Sequence, residues 1–220
     1  MVISMGTLFN LDNPVFTAIN KFVDMLFLSI VYIIICIPII TIGPATTALY
    51  YTVVKNVRKE RGYPFREFFK SFKDNFKQGA LITIMLVVAY IVMYIDIQFA
   101  KTLTGIPNMI LVSIFMGMLI VLVSINIYVF PYLSRFEAKT KQTLLNSLFL
   151  AIRHLPSTLL LIVILIAGAS LAFIIPIFII IVPSLTVLLQ SFLIERIFKK
   201  YMPDKSKENL EEGIDEWYLE

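Results

Sequence analysis

Long runs of apolar residues alternate with short basic segments along this chain. A helix needs roughly 20 apolar residues to cross the hydrocarbon core of a bilayer, and five segments meet this requirement. They cover about residues 22–42, 80–100, 107–130, 157–174 and 176–195. The last two divide one charge-free stretch near Pro176, because the whole stretch is too long for a single helical crossing. The pattern predicts an all-α polytopic membrane protein with five transmembrane helices.

The positive charges are concentrated in three of the segments outside these spans. All but Lys21 and Lys101 of the 19 Lys and Arg residues fall within 55–77, 135–153 and 196–207. Cytoplasmic connections of membrane proteins carry an excess of Lys and Arg. With five spans, this distribution predicts an outer N-terminus and an inner C-terminus, with Lys21 and Lys101 on the outer side.

Composition supports a membrane protein and excludes a soluble fold. Hydrophobic residues make up 59% of the chain and charged residues 15%, whereas soluble domains are about 45–50% apolar and about 25% charged. The single cysteine excludes an intrachain disulfide. Residues 1–21 lack a basic start, so we expect the first apolar run to be a retained span. No catalytic, metal or nucleotide motif is present, so we expect no enzyme activity, no cofactor and no nucleic-acid partner.

Two amphipathic helices are predicted at the inner interface, over 64–78 and 139–155. In the first, five phenylalanines recur at helical spacing and basic residues occupy the other face; the phenylalanines are Phe65, Phe68, Phe69, Phe72 and Phe76. Such helices lie in the plane of the membrane surface and bind anionic headgroups. We therefore expect the anionic inner leaflet to be one partner of this protein.

The same two segments belong to an internal repeat. Residues 44–54 align with 183–193, and 64–78 align with 139–156, so that Ser71 matches Ser147. The Gly43-Pro44 break is predicted where the first span reaches the inner surface, with Tyr50 and Tyr51 in the aromatic belt there. The alternative to an internal repeat is that any helix entering a membrane has this sequence pattern.

We assign 1–202 to one transmembrane domain and 203–220 to an acidic cytoplasmic tail.

Several cytoplasmic residues are candidates for docking a partner. The stretch 137–156 resembles the loop by which permease subunits of binding-protein-dependent importers dock onto their ATPase. In the tail, Leu210, Ile214, Trp217 and Tyr218 can form one helical stripe, and a solvated tail is the alternative. The candidates are Phe68, Phe69, Phe72, Glu137, Leu145, Leu155, Pro156 and Trp217.

A second candidate site is a polar cluster at the outer surface. Two acids and two bases map near the outer ends of the spans: Lys21, Asp24, Asp96 and Lys101. Ionisable residues in membrane segments are suspected of function, so this cluster is a hypothetical solute or proton site. The alternative is that the four residues pair with one another or with water at headgroup level.

The stretch IPIITIGPATTALYY (37–51), with FFKSFKDNFKQG (68–79), RFE (135–137), AIRHLP (151–156) and ERIFKKY (195–201), resembles the YesL-like family of Gram-positive bacterial membrane proteins. The family has no assigned molecular function. Its genes commonly lie near those for carbohydrate uptake and polysaccharide degradation. The resemblance therefore implies an accessory or assembly factor for carbohydrate uptake, with transporter components as partners. Two alternatives remain open: a transporter subunit with its own solute path, and a membrane partner of a sensor kinase.

Overall fold

The computed structural model describes residues 14–202, which form an all-helical bundle. Two 3-10 helices, Ile39–Thr41 and Pro176–Ile180, and one π-helix, Val53–Arg58, interrupt or extend the α-helices. The α-helices of this part of the chain are α1 (Pro14–Ile35), α2 (Ile42–Thr52), α3 (Pro64–Asp74), α4 (Phe76–Thr102), α5 (Ile106–Arg135), α6 (Thr140–Arg153), α7 (Leu155–Ile174) and α8 (Val182–Phe198).

Four helices within the described residues are long and apolar enough to cross a membrane: Thr17–Ile35 in α1, Phe76–Thr102, Ile106–Arg135 and Leu155–Ile174. They confirm the predicted all-helical class and are compatible with a membrane protein. The predicted fifth span, 176–195, differs. It begins with a 3-10 helix, and the following α8 has 17 residues. Pro176 and Pro183 lie at this interruption, where proline removes a helical hydrogen bond.

The first apolar segment ends earlier than predicted and turns back on itself. Helix α1 stops at Ile35, and the Thr41 hydroxyl donates to the carbonyl oxygens of Ile35 and Pro38 in the turn that follows. Tyr32 then hydrogen-bonds Thr46, and Lys21 forms an ion pair with Glu60. Helix α1 is therefore antiparallel to α2 and the π-helix. This contact contradicts the placement of Lys21 on the side opposite to residues 55–77.

Helix α2 packs in the centre of the bundle because two glycines allow close approach. A Cβ atom at Gly43 would lie 2.1 Å from Thr83 Oγ1 and 2.6 Å from the Gly79 carbonyl oxygen. Small residues at such crossings let helix backbones come together in membranes. The predicted position of Tyr50 in an interfacial aromatic belt is wrong, since its side chain is fully buried.

Two further hairpins complete the described bundle. Helices α4 and α5 pack against each other and are joined by a turn that contains Gly105. The φ of 76° at Gly105 is a backbone conformation that glycine adopts readily. Helices α7 and α8 are antiparallel, since Gly168 lies against Thr186 and the Gln190 side chain donates to the Leu161 carbonyl. Helices α3 and α6 connect the three hairpins, and each packs against the helix before it. This arrangement agrees with the predicted repeat, and the matched residues Ser71 and Ser147 are both buried.

Candidate functional site

The three basic segments of the sequence meet at one end of the bundle, which we call the basic end. Gln78 donates to the Ala138 carbonyl at 2.8 Å and so joins the first segment to the second. His154 Nε2 lies 3.0 Å from the Tyr201 hydroxyl and joins the second to the third. The basic end therefore consists of residues 55–78, 135–154 and 195–201.

A buried ion pair lies at the centre of the basic end. Arg135 is bidentate on Glu195, with its Nε 2.9 Å from Oε1, and Tyr50 donates to the same oxygen at 2.8 Å. The Arg135 side chain is 2% exposed and the Glu195 side chain 10%. Charge-assisted bidentate pairs are strong and geometrically specific. Residues from α2, α5 and α8 are thus fixed to one another at a single point.

Burial raises the pKa of Tyr50 well above its usual range, and the neighbouring Glu195 carboxylate raises it further. Tyr50 therefore remains a neutral donor at physiological pH, and Glu195 accepts from both Tyr50 and Arg135. This arrangement satisfies the carboxylate and suits a structural role for the triad.

The π-helix contributes two more polar contacts to the basic end. Lys55 forms a 3.0 Å ion pair with Glu67 of α3. Arg58 donates to the Ser191 carbonyl at 2.8 Å, and its guanidinium lies 4.5 Å from the centre of the Phe192 ring. π-Helical turns occur frequently at functional sites. Here the π-helix aims two cations inward, toward α3 and α8.

Sequence reasoning missed Glu195, Glu67 and the inward-facing cations. The sequence feature that could have indicated Glu195 is its position as the first charged residue after the charge-free stretch 157–194. A carboxylate at the end of such a stretch needs a partner once it is buried. The charge pattern alone places the basic residues in contact with solvent and lipid headgroups. It therefore gives no reason to expect that one of them pairs with the Glu195 carboxylate.

A polar cavity of about 440 Å³ opens beside the buried pair. Its lining comes from α2, from the junction of α3 and α4, and from the end of α5 with the segment that follows it. The side-chain amide nitrogens of Asn75 and Gln78 already donate within the protein, to Ser71 and Ala138. Asp74 and Glu137 add carboxylate groups to the lining. The cavity therefore combines these carboxylate acceptors with the Arg135 guanidinium, which also lines it.

The predicted docking residues fall into two groups. Phe68 is 0% exposed and belongs to the core around α1 and α2, so the prediction that it contacts a partner is wrong. Phe72 is partly buried against the same core. The exposed candidates are Phe69, Glu137, Leu145, Leu155 and Pro156, and Trp217 lies outside the described residues.

The predicted outer polar cluster is not assembled. Lys21 pairs with Glu60 at the basic end of the bundle. Asp24 and Asp96 are half-buried on α1 and α4, and Lys101 is exposed near the end of α4. No hydrogen bond or ion pair between described residues joins these four side chains to one another. No group of three or more potential metal-ligating side chains occurs within residues 14–202.

The fold and the basic end define a class: an all-helical protein with four helices long and apolar enough to cross a membrane, whose charged residues pair with one another at one end. Residues 22–97 match the model of a family described as "Protein of unknown function, DUF624". The chain is 26% identical over 118 residues to the "Uncharacterized protein YesL" of Bacillus subtilis (strain 168), and the match covers 53% of this chain and 55% of that relative. It therefore spans about half of the relative. These comparisons confirm the resemblance to the YesL-like family, and no solved structure matches.

Proposed function

We propose that this protein is a non-catalytic accessory or assembly factor in a bacterial plasma membrane and acts through protein contacts at the basic end. The link to carbohydrate uptake rests on the YesL-like resemblance, which implies transporter components as the partners. The inner location of the basic end rests on the distribution of Lys and Arg. The name of the Bacillus subtilis relative assigns it no activity.

One observation carries the proposal: an exposed apolar stripe runs along α6 to the first residues of α7, beside the buried polar network. Leu145, Ile152 and Leu155 are each more than half exposed. The opposite face of α6 is buried, including Ser147 and Leu150. An amphipathic helix whose apolar residues recur on one exposed face is a recognised way to dock into a groove on a partner. We call Leu145, Ile152, Leu155 and Pro156 the α6 stripe, although the last two are the first residues of α7.

The cavities along the long helices favour an accessory role over a solute path. One, of about 790 Å³, lies between α1 and the segment 177–188, and its lining within the described residues is apolar apart from Lys21. Another, of about 500 Å³, lies between α4 and α5 and has an apolar lining that includes Met93 and Met118. Apolar walls suit lipid tails, whereas polar solutes need hydrogen-bonding groups along their path.

A transporter subunit is the second candidate, favoured by the position of 137–156. This stretch forms an exposed link and helix at the basic end, where an ATPase would dock. Pull-down of a transport ATPase that is lost when the α6 stripe is changed to serine would favour this candidate. Unchanged growth on every sugar tested with Asp24→Asn and Asp96→Asn would count against a solute-binding or proton-coupled version.

In-cell photocrosslinking tests the proposal. A photoreactive residue at Leu145 or Phe69 should form adducts with transporter proteins, because both side chains are exposed at or beside the basic end. The matched control is Ile120, which is similarly exposed on α5 but lies far from that end. Lipid adducts alone at all three positions would overturn the proposal, and adducts with a histidine kinase would support the sensor alternative instead.

A further inference from the structure

An aromatic groove of about 280 Å³ lies at the basic end between α5, α6 and α8. Its walls include Tyr132, Phe136, Asn146, Phe149, Phe198 and Tyr201. The rings of Tyr132 and Phe136 are stacked with centroids 4.5 Å apart, and Phe136 lies 5.2 Å edge-on to Phe198. Phe149 is 51% exposed at the mouth of the groove. The groove thus has an ordered aromatic floor and an open apolar edge.

The described part of the chain ends directly beside this groove. Tyr201 forms one wall, and Met202 packs against the core cluster that contains Phe198. Eighteen residues follow, 203–220. Seven residues separate Met202 from Leu210, and an extended chain spans at most about 3.3–3.6 Å per residue. The tail therefore has enough length to turn back across the groove.

Charge at the groove complements charge in the tail. The tail has seven acidic residues and two lysines; the acids are Asp204, Glu208, Glu211, Glu212, Asp215, Glu216 and Glu220. The Arg153 guanidinium lies 5.5 Å from the Phe149 ring centre and 5.8 Å from that of Tyr201, above the groove. Lys199 and Lys200 are exposed on the adjoining turn. A cationic rim attracts an acidic segment, and this attraction weakens as salt rises.

The order of hairpins and packed helices in the bundle is a separate reason to place the tail in the aromatic groove. The first hairpin ends in the π-helix and is followed by α3, which packs back on α2. The second ends with α5 and is followed by α6, which packs back on α5. The third hairpin ends with α8 and is followed by the tail. The tail has apolar residues at Leu210, Ile214 and Trp217, a spacing that lies on one helical face.

We infer that residues 203–220 dock in this aromatic groove, with Trp217 seated against Phe149 and Tyr201. The docked tail neutralises part of the cationic rim and covers the aromatic floor. Leu145, Ile152 and Leu155 of the α6 stripe are not among the residues that line the groove. The inference is independent of the proposed function.

Trp217 is the single tryptophan of the chain, so its fluorescence reports docking directly. In full-length protein in zwitterionic lipid nanodiscs, we expect blue-shifted emission and weak quenching by iodide. Phe149→Ser should lower the ratio of docked to free tail roughly tenfold, equivalent to about 1.4 kcal/mol, and so increase quenching. Leu145→Ser is the matched control, since Leu145 has similar exposure on the same helix outside the groove. Equal quenching in wild type and Phe149→Ser would overturn the inference.

Further quenching measurements distinguish the groove from other locations of Trp217. Brominated lipids should leave its emission unchanged, whereas strong quenching by them would place it in the membrane and overturn the inference. Arg153→Glu should increase iodide quenching and Lys101→Glu should not, because Arg153 lies over the groove and Lys101 is at the end of α4. Shielding that disappears when each nanodisc holds one copy would indicate docking on a second copy, and would also overturn the inference.

Discussion

The basic end and the distal half of the α4–α5 hairpin are held together in different ways. At the basic end, charged and hydroxyl side chains are buried and paired, as Arg135, Glu195 and Tyr50 illustrate. Along the distal hairpin, large apolar side chains point outward, and Met109, Ile110 and Ile120 are each more than half exposed. The same chain thus buries polar groups at one end and exposes apolar groups at the other.

The difference follows from the solvent of each region. Lipid tails are as apolar as leucine, so burial of apolar side chains contributes little to helix association within a bilayer. Small residues, close packing and polar contacts then provide the specificity. At the basic end, water competes for charges, so a network persists where it is desolvated and fully paired. We therefore expect substitutions to matter most at buried polar and glycine positions, and little at exposed apolar ones.

The largest effect should come from breaking the buried ion pair. Glu195→Gln leaves the Arg135 guanidinium buried without its carboxylate, and removal of one partner from a buried pair costs about 3–5 kcal/mol. Thermal unfolding of purified protein in detergent measures the loss. The double variant Arg135→Met with Glu195→Gln should be less destabilised than the sum of the single variants, since neither charge then remains unpaired. Strict additivity would contradict the pairing.

A smaller but clear loss is expected at the crossing of α2 and α4. Gly43→Ala places a methyl group against Thr83 and the Gly79 carbonyl, and overpacking costs about 1–3 kcal/mol. Gly117→Ala is the matched control on α5, because a methyl group there would meet no atom of another helix within 4 Å. The unfolding temperature should fall for the first substitution and stay level or rise for the second. Equal behaviour would mean that α2 does not pack there.

Loss of the two hydrogen bonds that the Ser29 hydroxyl forms between α1 and α8 should have a modest effect. Ser29 donates to the Ser184 hydroxyl at 2.8 Å and accepts from the Ser184 backbone N–H. Each hydrogen bond between membrane helices contributes about 0.6 kcal/mol on average, so Ser29→Ala should lower stability by about 1 kcal/mol. Ser113→Ala is the control, because the Ser113 hydroxyl bonds the carbonyl of Met109 within its own helix. A loss in the control equal to that in Ser29→Ala would contradict the inter-helix role.

The smallest effect should follow from removing the exposed ion pair. Lys21 and Glu60 retain substantial solvent exposure, and surface ion pairs contribute about 0–1 kcal/mol. Lys21→Gln should therefore change the unfolding temperature little, and less still at high salt. A loss as large as that of Glu195→Gln would show that the two ion pairs are equally desolvated, and the contrast between buried and exposed charges would fail.

The periodicity and charge of the sequence predict much of this fold, and particular residues show where prediction stops. The regular phenylalanine spacing predicts α3 within one turn, and the apolar runs predict α4, α5 and α7 closely. The return of the chain after Ile35 depends on Gly43 meeting Gly79, a tertiary contact that local pattern does not encode. Charge counting places Lys21 on the outer side because it assumes that the first run crosses the membrane once. Phe68 is buried because α2 covers it, which helical spacing alone does not reveal.

The central claim is that the three basic segments and the start of α1 share one end of the bundle. Substituted-cysteine labelling tests it in a Cys36→Ser background, since Cys36 is the single native cysteine. Cysteines at Lys21, Glu60, Glu137 and Lys200 should all react with an impermeant reagent from one side of the membrane, and a cysteine at Lys101 from the other. Labelling of position 21 from the side of Lys101, or of positions 60 and 137 from opposite sides, would contradict the account.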